Sequence, residues 1–285
     1  MRTTMRDITF SLLLVSMLVT RPAPRPASAE DLATYEDWST AATIRADRWA
    51  ASSDLGHERR RELHGSTLAM RYRREGLTFS DTGSTGFFSN RLGLRNPVSV
   101  TQLEADLEVR DLIVTGCMAN PTASIARAAA IDLNRMSDLP PGTPSAPGDL
   151  TGDHIARIEV RRLSDSMDPD GVMEVRALLF RSDNPGGTLT TLVAGPIILG
   201  QVATRQVFQL RLSWNPESNE FRAALNDGPN ASLAYTPASN ARPANSPFAT
   251  IRIQHLPANC TAGPTVGDAE IAVHAVRTNA SAVIP

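Results

Sequence analysis

Residues 207–225 read VFQLRLSWNPESNEFRAAL. Phe208, Leu210, Leu212 and Trp214 fall on every second position, with Val207, Gln209, Arg211 and Ser213 between them. Period two is the spacing of a half-buried strand, because successive side chains point to opposite faces. Asn215-Pro216-Glu217-Ser218-Asn219 is rich in turn formers and is followed by a second alternating run, EFRAAL (220–225). A proline fixes φ, and asparagine tolerates the left-handed region. The stretch therefore predicts two strands joined as a hairpin.

The same alternation recurs along the chain. In TLAMRYR (67–73), Leu68, Met70 and Tyr72 form the apolar set. ARIEVRR (156–162) and VMEVRALLF (172–180) flank SDSMDPDG (164–171), whose Pro-Asp-Gly is a second hairpin turn. ATIRIQHL (249–256) and AEIAVHAV (269–276) supply two late strands. ASIARAAAIDL (123–133) is alanine-rich and does not settle its own period; a strand is expected there. Two long proline-rich segments, 138–153 and 226–247, are expected to be loops within one sandwich. No heptad, internal repeat or long amphipathic helical pattern appears. Many short strands in about 250 residues predict a single all-β domain over 30–285.

The first residues read differently. Arg2 and Arg6 precede the apolar run ITFSLLLVSMLV (8–19), and a proline-rich tail ends in Ala27-Ser28-Ala29. A charged start, a short apolar middle and a small-x-small exit predict a signal peptide over 1–29, too short to span a membrane. The expectation is a secreted or periplasmic protein with no membrane span after cleavage. Two cysteines, Cys117 and Cys260, then reside in an oxidising compartment and are expected to form a disulfide. Closing so long a loop would stabilise the fold by ~4–5 kcal/mol in the chain-entropy model.

The formal net charge is −2, and the leader holds four arginines and one aspartate, so the remainder is more acidic still. That balance argues against nucleic acid as partner, which needs a basic stripe. Every basic residue is arginine; the chain has no lysine.

Residues 65–76, GSTLAMRYRREG, and 87–109, FFSNRLGLRNPVSVTQLEADLEV, together with 208–227, FQLRLSWNPESNEFRAALND, resemble the strand pattern of concanavalin A-like lectin/glucanase (laminin-G-like) jelly rolls. The resemblance spans most of 38–276 and rests on loose strand patterns. It implies a β-sandwich of two antiparallel sheets with a face that often holds a glycan.

Within that resemblance LEADLEV (103–109) acquires a functional meaning. Glu104, Asp106 and Glu108 share one strand face opposite Leu103, Ala105, Leu107 and Val109. Glucanases of the laminarinase/lichenase type carry E-x-D-x-E on one strand. The resemblance implies Glu104 as nucleophile, Asp106 as the tuning carboxylate and Glu108 as acid/base of a retaining mechanism. Against it, the glycine and tryptophan that open the family motif are replaced by VSVTQL, and aromatics are only 5% of the chain. Carboxylates also alternate on any strand with one wet face, where Arg71, Arg73, Arg110 and Asp111 offer charge partners. The expectation is a solvated face and a non-catalytic protein, either glycan-binding or an interaction module, with the glucanase as alternative.

Metal signals are weak. Asp165, Asp168 and Asp170 lack the twelfth-position acid of a calcium loop, since that place falls on Ala177. Asp149 and Asp153 in GDLTGD (148–153) are the better oxygen-ligand pair for calcium, though a polar turn is favoured and no cofactor is expected. HERRR (57–61) lacks the second histidine of a zinc helix, and there is no G-x-S-x-G elbow, P-loop or dinucleotide fingerprint. Trp38, Trp49 and Trp214 are potential sugar-stacking residues, with Trp214 assigned to the core by its place on the Phe208/Leu210/Leu212 face.

Overall fold

The computed structural model describes residues 32–51, 58–77, 88–116, 123–140, 143, 145–237, 242–256 and 265–279. The expected leader over 1–29 and both cysteines lie outside these residues. The described chain contains no helix. Its strands are β1 (Leu32–Glu36), β2 (Trp49–Ala51), β3 (Glu58–His64), β4 (Thr67–Leu77), β5 (Phe88–Leu94), β6 (Gln102–Val114), β7 (Ile125–Ser137) and β8 (Asp153–Leu163). They continue as β9 (Val172–Ser182), β10 (Thr190–Ala203), β11 (Val207–Asn215), β12 (Glu220–Leu225), β13 (Ala231–Ala234), β14 (Arg242–Leu256) and β15 (Thr265–Asn279).

They form two antiparallel sheets. The first runs β13-β12-β11-β6-β15-β4-β3, with β1 also on β15; the second runs β10-β9-β8-β7-β14-β5-β2. This is the all-β architecture expected from the alternation and the jelly-roll sandwich implied by the family resemblance. The apolar set of each strand meets that of the other sheet. From the first sheet come Leu68, Met70, Leu103, Leu107, Phe208, Leu210 and Phe221. From the second come Leu92, Ile131, Leu133, Ile158, Val175, Leu179 and Ile251. Fully burying each such side chain contributes roughly 1.5–3 kcal/mol.

Both hairpins form as read, β8 with β9 and β11 with β12. The alanine-rich stretch is strand β7, and its alanines fit a strand buried on both faces. The segment 226–247 differs from expectation: it holds β13 and the first residues of β14, so it is a loop only in part. Pairing with β12 supplies the ladder partners that local composition does not reveal.

Bulges change which face a residue reaches. Between Arg127 and Ala129 the register of β7 on β8 slips, so Ala128 and Ala129 both enter the core and Arg127 turns outward. A slip between Val273 and Ala275 does the same on β15: Ile271 and Val273 point inward, then Val276 does, and Arg277 emerges on the outer face. On the edge strand β10, three further slips bend the chain, and Gly195 takes φ +85 where an added Cβ would lie 2.7 Å from the Ala177 carbonyl oxygen. A side chain at that position is excluded both sterically and by the left-handed backbone.

Candidate functional site

The acidic row of β6 occupies the outer face of the first sheet, as its alternation requires. Its carboxylates are engaged by neighbours on both flanking strands. Glu104 accepts from Arg211 Nε at 2.9 Å, from Arg277 Nη1 at 2.8 Å and from Gln209 Nε2 at 3.1 Å. Asp106 accepts from Arg277 Nη2 at 2.7 Å and Gln209 Nε2 at 3.1 Å. Glu108 faces His274 Nε2 at 3.3 Å and Arg110 Nε at 3.8 Å. Arg110 is thus the partner anticipated, whereas Arg71 and Arg73 pair instead with Asp268. Glu104 is 6% exposed, so this end of the row is buried under its own arginines rather than solvated. Burial raises the Asp106 carboxyl, but the hydrogen bonds from Arg277 and Gln209 and the Arg277 charge outweigh it and hold the group below the usual carboxylate range.

The outer face of the second sheet carries a different and denser arrangement. Strand β8 sends Ile155, Arg157, Glu159 and Arg161 outward, because Ala156, Ile158 and Val160 are in the core. Across the ladder, Arg157 lies opposite Asp132 of β7 and Leu178 of β9, and Thr250 of β14 lies opposite Asp132 on its other side. Asp132 is 1% exposed. It accepts from Arg157 Nε at 2.6 Å and Thr250 Oγ1 at 3.1 Å, and Arg252 Nε lies 2.8 Å from it. Glu159, fully buried, accepts from Arg176 Nε at 2.7 Å and pairs with Arg127, which in turn donates to Gln254. Burial raises the Glu159 carboxyl, but Arg127, Arg157 and Arg176 together bring it below its ordinary value. Burial pushes Arg127 down to about 10, which leaves it charged at neutral pH.

Beside this network lies a hollow of about 390 Å³, lined by Arg127, Arg157, Arg252 and Gln254 together with Leu178, Phe180, Leu192, Leu256, Gly187, Thr188 and Thr190. The Arg157 guanidinium lies over the Phe180 ring, 4.7 Å from its centroid. Ile155, Leu178, Phe180 and Phe248 form an apolar cluster outside the main core, beside the charges. Polar groups convergent on an apolar concavity are the ordinary form of a small-ligand site.

Sequence reading missed this face. Its signal was present in Arg157, Glu159 and Arg161 of ARIEVRR and in Thr250, Arg252 and Gln254 of ATIRIQHL. Alternation assigns those residues to a polar face without telling that the face is hollowed. Trp38 and Trp49 are not available to stack on a ligand: they are 0% and 3% exposed and stack on each other with centroids 5.4 Å apart. Trp214 packs against the core as expected and donates to the Tyr235 hydroxyl at 2.9 Å.

Asp149 and Asp153 serve local structure. Asp149 accepts from Thr151 N at 2.8 Å, a turn contact. Asp153 is buried and takes Asn134 Nδ2 at 2.8 Å, Asn245 N at 3.1 Å and Ser246 N at 3.3 Å, tying the 138–153 loop to β14. Asp165, Asp168 and Asp170 sit at the β8–β9 hairpin, where Asp168 accepts from Ser166 Oγ at 3.1 Å. Among the described residues no three His, Cys, Asp or Glu side chains gather as a metal site, and no helix is long and apolar enough to cross a membrane.

His154, next to this loop, is buried, with Asp138 at 3.4 Å and the Gly152 carbonyl at 3.3 Å. Burial lowers its pKa more than Asp138 raises it, with Arg181 lowering and Asp153 raising it further. A folded-state pKa below the unfolded value means the neutral ring is favoured by folding. Its stabilisation is present above about pH 6.5, the unfolded value, and is lost as pH falls through that range. The depressed Glu159 and Asp106 carboxyls add losses of the same sign below about pH 4.5. Urea midpoints should therefore fall in two steps on acidification, and His154→Gln should remove the upper one. Equal midpoints at pH 7.5 and 5.5 in the unaltered protein would refute the His154 assignment.

No family model matches the chain, and no curated protein matches it. Solved structures do. LamAcat from Zobellia galactanivorans is 14% identical over 88% of this chain and 99% of its own, with a TM-score of 0.49. SCLam, an endo-β-1,3(4)-glucanase of family GH16, is 12% identical over 90% and 93%, at 0.44. The carbohydrate-binding module CBM66 from Bacillus subtilis is 9% identical over 81% and 94%, at 0.36.

Proposed function

We propose that this is an exported, secreted or periplasmic, non-catalytic β-sandwich protein that binds a glycan in the hollow on the outer face of the second sheet. The observation that carries this reading is the hollow itself, where guanidinium and amide groups of Arg127, Arg157, Arg252 and Gln254 stand against the apolar side chains of Leu178, Phe180 and Leu192. A pyranose presents the same pairing of polar edge and apolar face. The carboxylates beneath, Asp132 and Glu159, are buried and held by arginines, which suits a rigid floor better than a proton-transfer role.

The second reading is a retaining glucanase using Glu104, Asp106 and Glu108. Their common outward face favours it; the arginines that occupy Glu104 and Asp106 weigh against it. The experiment is paired. Saturable binding on a glycan array is expected, with no reducing ends released from mixed-linkage β-glucan, laminarin, agarose or carrageenan. Release that disappears in Glu104→Gln would replace the binding reading by the enzymatic one.

A further inference from the structure

We infer that the hollow on the second sheet selects an acidic saccharide, a sugar bearing a carboxylate or a sulfate ester, and that Arg157 and Arg252 receive its anionic group. This rests on the glycan-binding reading above and adds the charge class of the ligand.

The argument is one of charge and unused donors. Arg161 and Glu174 neutralise each other at 2.8 Å. Within the described ion-pair network of this patch, four guanidinium groups (Arg127, Arg157, Arg176 and Arg252) surround two carboxylates (Asp132 and Glu159). A positive excess therefore sits on side chains that are largely withdrawn from water: Arg157 is 8% and Arg252 9% exposed. A buried charge is costly unless it is paired, and the described residues supply only part of the pairing. The surrounding chain is mildly acidic, so the excess is a property of the site and not of the composition.

The donors point the same way. Arg157 donates Nε–H to Asp132, and neither of its Nη atoms bonds a described residue. Arg252 donates Nη2–H to Asp132 and Arg127 donates Nη1–H to Gln254; their Nε atoms lie in ion-pair contact with Asp132 and Glu159 without a hydrogen bond, and Nη1 of Arg252 and Nη2 of Arg127 bond no described residue. The floor carboxylates thus hold each guanidinium by one edge and leave other N–H groups available at the hollow. Fixed guanidinium edges match the planar oxyanion of a uronate, and a fork held in place loses little freedom on binding. Phe180 and Leu192 supply the apolar wall for the sugar ring, and Phe180 also fixes the plane of Arg157.

The test is calorimetric titration of the full-length protein with trigalacturonate, its carboxyl-reduced neutral counterpart, a sulfated carrageenan oligosaccharide and laminaritriose. At least one acidic probe should bind at least about tenfold more tightly than both neutral ones, and its affinity should fall as salt rises. Which acidic probe wins distinguishes carboxylate from sulfate. Because Arg157→Gln disturbs the buried network, Thr190→Glu is the companion variant. It places a negative charge on an exposed position lining the hollow and touches none of the ion pairs. Thr190→Glu should weaken the acidic ligand about tenfold or more while leaving thermal unfolding unchanged. Acidic and neutral sugars binding alike would overturn this inference and leave the glycan reading standing. No saccharide binding at all would remove the glycan reading. Acidic ligand bound equally by the unaltered protein, Thr190→Glu and Arg157→Gln would place the site elsewhere and overturn the inference.

Discussion

Replacing Glu159 by glutamine is expected to destabilise the protein by about 3–5 kcal/mol, the usual cost of removing one partner from a buried ion pair. Glu159 is fully buried and is the counter-charge for both Arg176, at 2.7 Å, and Arg127, which is itself only 14% exposed. Glutamine keeps the shape and loses the charge, so both guanidinium groups remain in a poorly solvated place without it. Desolvation then acts on them alone. The contrast is Asp170→Asn at the β8–β9 hairpin. Its carboxylate is fully exposed, 3.5 Å from Arg162, so solvent screens the pair and its loss should leave the urea midpoint essentially unchanged. Urea unfolding of the three proteins at neutral pH measures both. Equal midpoints for Glu159→Gln and the unaltered protein would mean the buried network contributes nothing.

Trp38→Ala is expected to cost about 3–5 kcal/mol, the range for deleting a large aromatic from a packed interior. Trp38 has no exposed surface and stacks on Trp49, whose own edge meets Tyr35 with centroids 5.2 Å apart. The three rings join the segment after β1 to β2, so the cavity would open where the two N-terminal strands are anchored. The saccharide binding proposed above, measured below the unfolding transition, should be unaffected. A stable Trp38→Ala protein that has lost its ligand would return Trp38 to the sugar-stacking role that its residue type suggests.

The two substitutions mark what kind of information the sequence carries. The strands of LEADLEV, VFQLRLSW and ARIEVRR were legible because a half-buried strand must alternate, and the inward sets named from alternation are the buried ones. The turns after Leu163 and Trp214 were legible because proline, glycine and asparagine restrict or widen φ in known ways. The shared face of Glu104, Asp106 and Glu108 followed from the same periodicity. Their main partners did not: Arg277 lies 173 residues beyond Glu104, and its parity is reversed by the slip at His274.

The same limit hid the arginine hollow. Arg127 reaches its site only because β7 bulges at Ala128, and Asp132, Arg157, Thr250 and Arg252 meet only because β7 lies between β8 and β14. By itself the chain determined that it folds as alternating strands and, where no bulge interrupts the alternation, which side chains enter the core, since burial of one face is written locally with period two. Which polar face is hollowed and charged was decided by the tertiary structure. Strand order, bulges and a bent edge strand bring together residues whose interaction depends on distance in space and leaves no local period in the sequence.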